Sequence, residues 1–236
     1  MSEPETHVYR EIGSHSLELE VVRPIGSDRA TSCVVFFHGG AWRHGDRGQF
    51  LPQCRALAER GVTAIAVSYR LVTEDGDNTP ADCSDDAAHA VGWIREHTKE
   101  LGIDPRKIVA SGGSAGGQMA TAVAAMGNDL AALVLFNPAL CPEGTPNLRF
   151  MGDACPSWGV DESYPPTLVL HGTADTIVPI EHSRRFAEQM RAVGKHCELI
   201  EYEGMPHAFF NFPPPEGRYD ETLAEMIRFL ESSSLL

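Results

Sequence analysis

Residues 110–118 read "ASGGSAGGQ", four glycines crowded around one serine, Ser114. Gly loses more freedom on ordering than any other residue, so such a run marks a tight turn or a close backbone approach. The stretch ends an apolar, β-branched run, "KIVASGG" (107–113), and opens a small-residue run, "AGGQMATAVAAMG" (115–127). That reads as strand, sharp turn, helix. Gly112-Gly113-Ser114-Ala115-Gly116 fits G-x-S-x-G, a pattern that stands a serine hydroxyl up from a strand-to-helix turn. Ser114 would also face a helix N-terminus, where backbone dipoles favour negative charge. A plain Gly-rich turn with Ser as N-cap gives the same local pattern, so the rest of the chain decides between them.

Outward from this turn, apolar runs alternate with amphipathic ones. "CVVFFHGG" (33–40), "VTAIAVSY" (62–69), "LAALVLFNP" (130–138), "TLVLHG" (167–172) and "CELIEY" (197–202) read as further strands. Between them, helical faces carry Phe50, Leu51, Cys54, Leu57 and Ala58, then Ala87, Val91 and Ile94, then Phe186, Met190 and Val193. A last helix carries Tyr219, Leu223, Ile227 and Leu230. This alternation predicts an α/β fold with a mostly parallel central sheet covered on both faces. "YREIGSHSLELEVVRP" (9–24) alternates apolar and polar about Gly13 and predicts an antiparallel N-terminal hairpin at the sheet edge. Residues 141–163 are rich in Pro, Gly, Asp and Cys and break the rhythm. They predict a short lid or loop insertion within a single domain spanning 1–236.

The bulk properties narrow the function classes. The chain has 236 residues and a formal net charge of −14. That balance argues against nucleic acid and anionic membranes, which attract basic surfaces. No apolar run reaches the length of a membrane span, and "MSEPETHVYRE" has no basic head or apolar core of a signal peptide. Six cysteines (33, 54, 83, 141, 155 and 197) are scattered without a CxxC pair, so free thiols in the cytoplasm are expected. Cys141 and Cys155 bracket one loop, and a bridge between them is the alternative. No cluster has metal-ligand spacing and no dinucleotide fingerprint follows a strand, so no cofactor is expected. Nothing in the sequence sets an oligomeric state.

Active groups in an open parallel sheet gather at the carboxyl ends of strands. Besides Ser114, three such ends carry suggestive residues. His207, in "GMPHAFF", follows the last strand and is the candidate general base, because a neutral serine is a weak nucleophile. Asp175, in "HGTADTIVP", follows the strand before it and is the candidate orienter of that histidine. Asp161 and Glu162, in the irregular loop, are weaker rivals. "HGGAW" (38–42) follows the first parallel strand, and its bare backbone suits a developing oxyanion. The donors expected there are the N–H groups of Gly39, Gly40 and Ala115.

Taken together, "HGGAW", "GGSAGG", "HGTADTIVP" and "PHAFF" resemble the α/β-hydrolase superfamily over roughly residues 30–232. Within it the chain resembles the small carboxylesterase and lipase-like branch with an HGG oxyanion loop, including hormone-sensitive-lipase-like, acetyl esterase and feruloyl esterase relatives. The order Ser…Asp…His is that of this fold. The resemblance implies a serine hydrolase on a small-molecule ester, with Ser114 as nucleophile, His207 as base and Asp175 as orienter. Ala41 stands where many relatives have a third glycine, and it still offers an N–H. Trp42 and Trp158 are the expected substrate-binding walls. His38 is expected to prop the oxyanion loop, and His171 to pack or bond to backbone. The alternatives are an amide-directed hydrolase (a prolyl-oligopeptidase-like peptidase or an arylformamidase) and a non-catalytic ligand-binding module on the same scaffold.

Overall fold

The computed structural model describes residues 3–26, 29–73, 78–141, 159–213 and 217–236. Its first two strands, β1 (Glu5–Ile12) and β2 (His15–Val22), form the expected antiparallel hairpin, with Gly13 turning at φ 59°. Leu17, Leu19 and Val21 alternate inward along β2, which pairs antiparallel with β4 (Thr63–Val67). From β4 onward the sheet is parallel. It adds β3 (Thr31–Phe37), β5 (Ile103–Gly113), β6 (Ala132–Phe136), β7 (Thr167–Gly172) and β8 (Cys197–Tyr202), in the order β1-β2-β4-β3-β5-β6-β7-β8.

Continuous apolar runs are what a sheet buried on both faces requires. Val35, Phe37, Ile65 and Val67 point to one side. There they meet Val91 of α2 (Pro80–Glu96), Met119 of α4 (Ala115–Ala125) and Met190 of α5 (Glu181–Ala192). Val34, Phe36, Ala64 and Ala66 point to the other. They meet Cys54 and Leu57 of α1 (Leu51–Ala58) and Met226 and Leu230 of α6 (Tyr219–Ser232). Truncating a central ring such as Phe37 to Ala would cost about 3–5 kcal/mol in lost burial and cavity. A short helix, α3 (Thr98–Leu101), closed by left-handed Gly102, joins α2 to β5 without a signal in the hydrophobic pattern. Helix α2 begins with a reciprocal capping box, Thr79 with Asp82, behind Pro80 at its first position. No described helix is long and apolar enough to cross a membrane.

Register places the site. Phe37 pairs with Gly112, Gly113 with Phe136, and Phe136 with Leu170. The exits of β3, β5, β6 and β7 therefore lie along one rim. The chain winds from β3 to β4 on one side and returns to β5 on the other, and open parallel sheets bind ligands outside such a switch point. Cys33, Cys54, Cys83 and Cys197 are free and buried, as expected. Cys141 departs from the expectation of free thiols: it is disulfide-bonded. Cys155, like Trp158 and most of the expected lid, lies outside the described residues.

Candidate active site

The strained residue of the turn is the serine, not the glycines. Ser114 adopts φ 55°, ψ −119°, a region that costs a non-Gly residue of order 1–3 kcal/mol. None of Gly112, Gly113, Gly116 and Gly117 has a positive φ. What they supply is room. A Cβ on Gly116 would overlap the Phe37 carbonyl oxygen, one on Gly112 the Gly116 carbonyl carbon, and one on Gly113 the ring edge of Phe210. On Gly117 it would come within 2.6 Å of Pro138 Cβ. Ser114 is pinned on both sides: its N–H donates to Phe136 O (2.9 Å) and its carbonyl accepts from Ala139 N–H (2.9 Å).

The hydroxyl so raised meets His207, whose Nε2 lies 3.0 Å from Ser114 Oγ. His207 Nδ1–H donates to Asp175 Oδ2 at 2.6 Å. The loop after β8 holds that ring through the next residue. Ala208 takes φ 63° and donates its N–H to Asn137 Oδ1 (3.0 Å), at the exit of β6. Asp175 is clamped in turn, its Oδ1 accepting the N–H groups of Ile177 and Val178, each at 2.9 Å. Burial alone would raise its carboxyl. Hydrogen bonds from His171, His207 and the Val178 N–H outweigh that and hold it well below the usual carboxylate range. Asp161 is elsewhere, accepting from Ser163 N–H in an exposed turn (2.7 Å). Thus Ser114, His207 and Asp175, distant in sequence, form one connected hydrogen-bonded chain, and the rival carboxylate Asp161 stays apart.

The opposite wall alters one expectation. Gly39 N–H is already donated to Gln49 Oε1 at 2.6 Å, so it is not free to meet a substrate oxygen. Gly40 turns at φ 119°, a Cβ there would overlap the His44 carbonyl, and Ala41 follows at φ 52°. The N–H groups of Gly40, Ala41 and Ala115 donate to no acceptor among the described residues, Ala115 being the first residue of α4, where an N–H has no intrahelical partner. The N–H groups left unbonded on this wall are therefore those of Gly40, Ala41 and Ala115, the Gly39 N–H being taken up by the Gln49 side chain. His38 is buried with its Nδ1–H on Gly39 O (2.8 Å), stacked on Tyr69, whose hydroxyl donates to His38 O (2.8 Å). Burial holds its imidazole below the ordinary value, as suits a neutral prop.

Trp42 also differs from expectation. It is 2% exposed, in the core under the loop, with its indole N–H on Gln118 Oε1 (3.2 Å). It supports the loop from below instead of forming an open substrate wall. A cavity of about 370 Å³ opens beside His207, lined by Met205, Pro206, Phe209, Asn211 and Pro213. Gln49 and Asn137 touch this constellation and carry no motif of their own, whereas His171 opens the "HGTADTIVP" stretch. For the first two the only sequence cue is the Asn-Pro pair (137–138) at the end of a strand.

A serine on a strained strand-to-helix turn, followed in the chain by an acid and a histidine at later strand exits, defines an α/β-hydrolase. Comparison with known proteins agrees. Residues 19–139 match the BD-FAE family, and residues 141–234 match the prolyl oligopeptidase family. A thermophilic esterase of Thermogutta terrifontis, Est2, superposes with a TM-score of 0.90 at 36% identity, over 99% of this chain and 93% of that one. The same esterase is known phosphorylated by paraoxon and bound to propionate. LipM of Mycobacterium tuberculosis, a probable carboxylic ester hydrolase, is 31% identical over 81% of this chain and 53% of its own length. Carboxylesterase NlhH of the same species is 32% identical over 76% of this chain and 66% of its own. The chain spans about half to two thirds of the length of these curated relatives. It belongs to the carboxylesterase-like α/β-hydrolase family.

Proposed function

We propose that this chain is a serine carboxylic-ester hydrolase, one α/β-hydrolase domain acting on short-acyl or small aryl or sugar esters through an acyl-enzyme. The observation that carries the reading is the unbroken Ser114–His207–Asp175 chain, at 3.0 and 2.6 Å, in which each atom has the partner its role needs. His207 Nε2 takes the Ser114 proton as Oγ attacks the ester carbonyl. Asp175 fixes the tautomer, because its Oδ2 binds Nδ1–H, and offsets the imidazolium charge. The N–H groups of Gly40, Ala41 and Ala115 receive the oxyanion. His207 then protonates the departing alcohol and activates the water that releases the acid. The propionate complex of Est2 supports a short acyl group. The names of the relatives support ester over amide chemistry.

A soluble, cytoplasmic setting is part of the proposal. The four buried free thiols support it and the disulfide at Cys141 opposes it, and fractionation of the native host decides. The functional test is a p-nitrophenyl ester series from acetate to octanoate, beside aminoacyl and formyl amides, with a fluorophosphonate label read by mass spectrometry. The expected result is turnover that peaks at short acyl chains and a label on Ser114, both absent from a folded Ser114→Ala variant. Turnover surviving in that variant would remove the proposal; a faster amide series would move it to the amidase alternative.

A further inference from the structure

The acidic member of this chain holds not one imidazole but two. His171, the penultimate residue of β7, is fully buried, and its Nε2 lies 2.9 Å from Val178 O and 3.2 Å from Asp175 Oδ2. A carbonyl and a carboxylate only accept, so Nε2 must carry the hydrogen and share it between them. Nδ1 lies 2.7 Å from Ser183 Oγ in α5, and a neutral ring accepts there from the hydroxyl. Oδ2 of Asp175 therefore receives two imidazole N–H groups, from His207 and from His171, while Oδ1 receives two backbone N–H groups.

We infer that His171 is a positioning residue for ester hydrolysis: it holds Asp175 in register for His207 and draws off part of the carboxylate charge that His207 would otherwise face. This rests on the triad reading given above. The shared oxygen is the lever. Any hydrogen bond given to Oδ2 by His171 weakens the pull of that oxygen on a proton at His207. His171 thus trades tightness of the His207 proton for a fixed carboxylate. The charged and titratable groups around it are few. Glu201 is opposite it on β8 and bound to Arg184 of α5, and His182 of α5 bonds Leu140 O.

Two near-isosteric amides separate this from bulk packing. His171→Gln extends an N–H donor to the Nε2 position and keeps the contact with Asp175. His171→Asn reaches only the Nδ1 position, keeps a polar partner for Ser183 and abandons Asp175. The readout is the rate of fluorophosphonate labelling of Ser114 across pH, with kcat and KM for p-nitrophenyl acetate. For the Asn variant we expect labelling and kcat to fall about tenfold with KM nearly unchanged. Its acid limb should move up by roughly half a pH unit, because Asp175 loses a competing donor. The Gln variant should stay within about threefold of wild type with the limb in place. Equal behaviour of the two variants, or a tenfold loss with no movement of the limb, overturns the inference. Should the Asn variant not fold, ¹⁵N-imidazole spectra of the wild-type protein decide. His171 must remain the neutral Nε2–H tautomer through the working pH range, and an Nδ1–H tautomer or a ring titrating with activity overturns the inference equally. A wild type that neither labels nor turns over esters would instead overturn the triad reading.

Discussion

Two aspartates of this molecule, Asp86 and Asp175, have side chains closed to solvent, and each is held by two side chains, in Asp175's case one of them only four residues away. Asp86, on α2, is gripped by Arg10 of β1 at 2.6 Å and by Arg70, beyond β4, at 2.8 Å. Asp175, beyond β7, is gripped by His207 and His171. The difference lies in the partners' protons. A guanidinium stays charged at any working pH and cannot hand a proton on, so the Asp86 cluster ties a helix to the hairpin edge and does nothing more. An imidazole gains and loses its proton near neutrality. Of the two rings on Asp175, only His207 touches Ser114 Oγ, and of the two aspartates only Asp175 lies at the strand-exit rim with Ser114.

Exchanging the charge for a neutral amide breaks the comparison most sharply at Asp175. In Asp175→Asn the site is expected to keep its shape and lose its tautomer control, lowering kcat about 10³–10⁴-fold. Near-ultraviolet circular dichroism checks the fold and a p-nitrophenyl acetate assay the rate; activity within tenfold of wild type would remove Asp175 from the orienter role. Asp86→Ala should act the other way. It removes the buried acceptor that Arg10 and Arg70 share, leaves them the more exposed Asp85 and Asp82, and should cost about 2 kcal/mol of stability. Activity per folded molecule should stay within about twofold. Urea melts beside active-site titration measure both, and a rate loss matching the Asp175 variant would mean the two carboxylates are not separable.

How far the sequence announces these regions follows from how local each signal is. The fold was legible because strands buried on both faces must be apolar runs and their helices must carry one apolar stripe. Val34, Val35, Phe36 and Phe37 announce β3 without any partner being known. The Ser114 turn was legible for a similar reason, since its glycines crowd where four separate backbone or ring contacts leave no space for a Cβ. The grip on Asp86 was not, because Arg10 and Arg70 reach it from 76 and 16 residues away. Read locally, Asp86 looks like a dipole partner at a helix start. The sequence pointed to the loop of the proposed oxyanion donors but not to which of its N–H groups is unbonded. Which N–H is free depends on where Gln49 puts its amide oxygen, and no motif fixes that side chain.

Gln49 supplies a neutral case between the two aspartates. Its Oε1 takes Gly39 N–H, and its Nε2 donates to Asn211 Oδ1 at 2.9 Å, four residues after His207. It joins the donor loop to the histidine loop without any charge. Gln49→Leu is expected to lower kcat about tenfold, with KM changed less than twofold, because donors that are misplaced rather than lost weaken the transition state most. A rise in KM at constant kcat would instead make Gln49 a plain binding-wall residue.

The smallest expected effect concerns acid stability, and it tests how strongly the imidazoles hold Asp175. The folded protein keeps this carboxyl below its ordinary range, despite a burial that opposes it, through bonds from His171, His207 and Val178 N–H. A group whose folded value is depressed stabilises fully above its unfolded value, about 3.9 for Asp, and loses that contribution as pH falls through the folded value. Asp175→Asn lacks the contribution at every pH. Every other titrating carboxyl, Asp82 and Glu201 among them, is common to both proteins and cancels in the difference. The stability gap between wild type and Asp175→Asn should therefore be widest near neutrality and narrow by about 1 kcal/mol between pH 5 and pH 3. Paired thermal melts at those values read it directly. A gap that stays constant with pH would mean that backbone and packing, not the charge, hold the carboxylate, and the contrast with Asp86 would then rest on geometry alone.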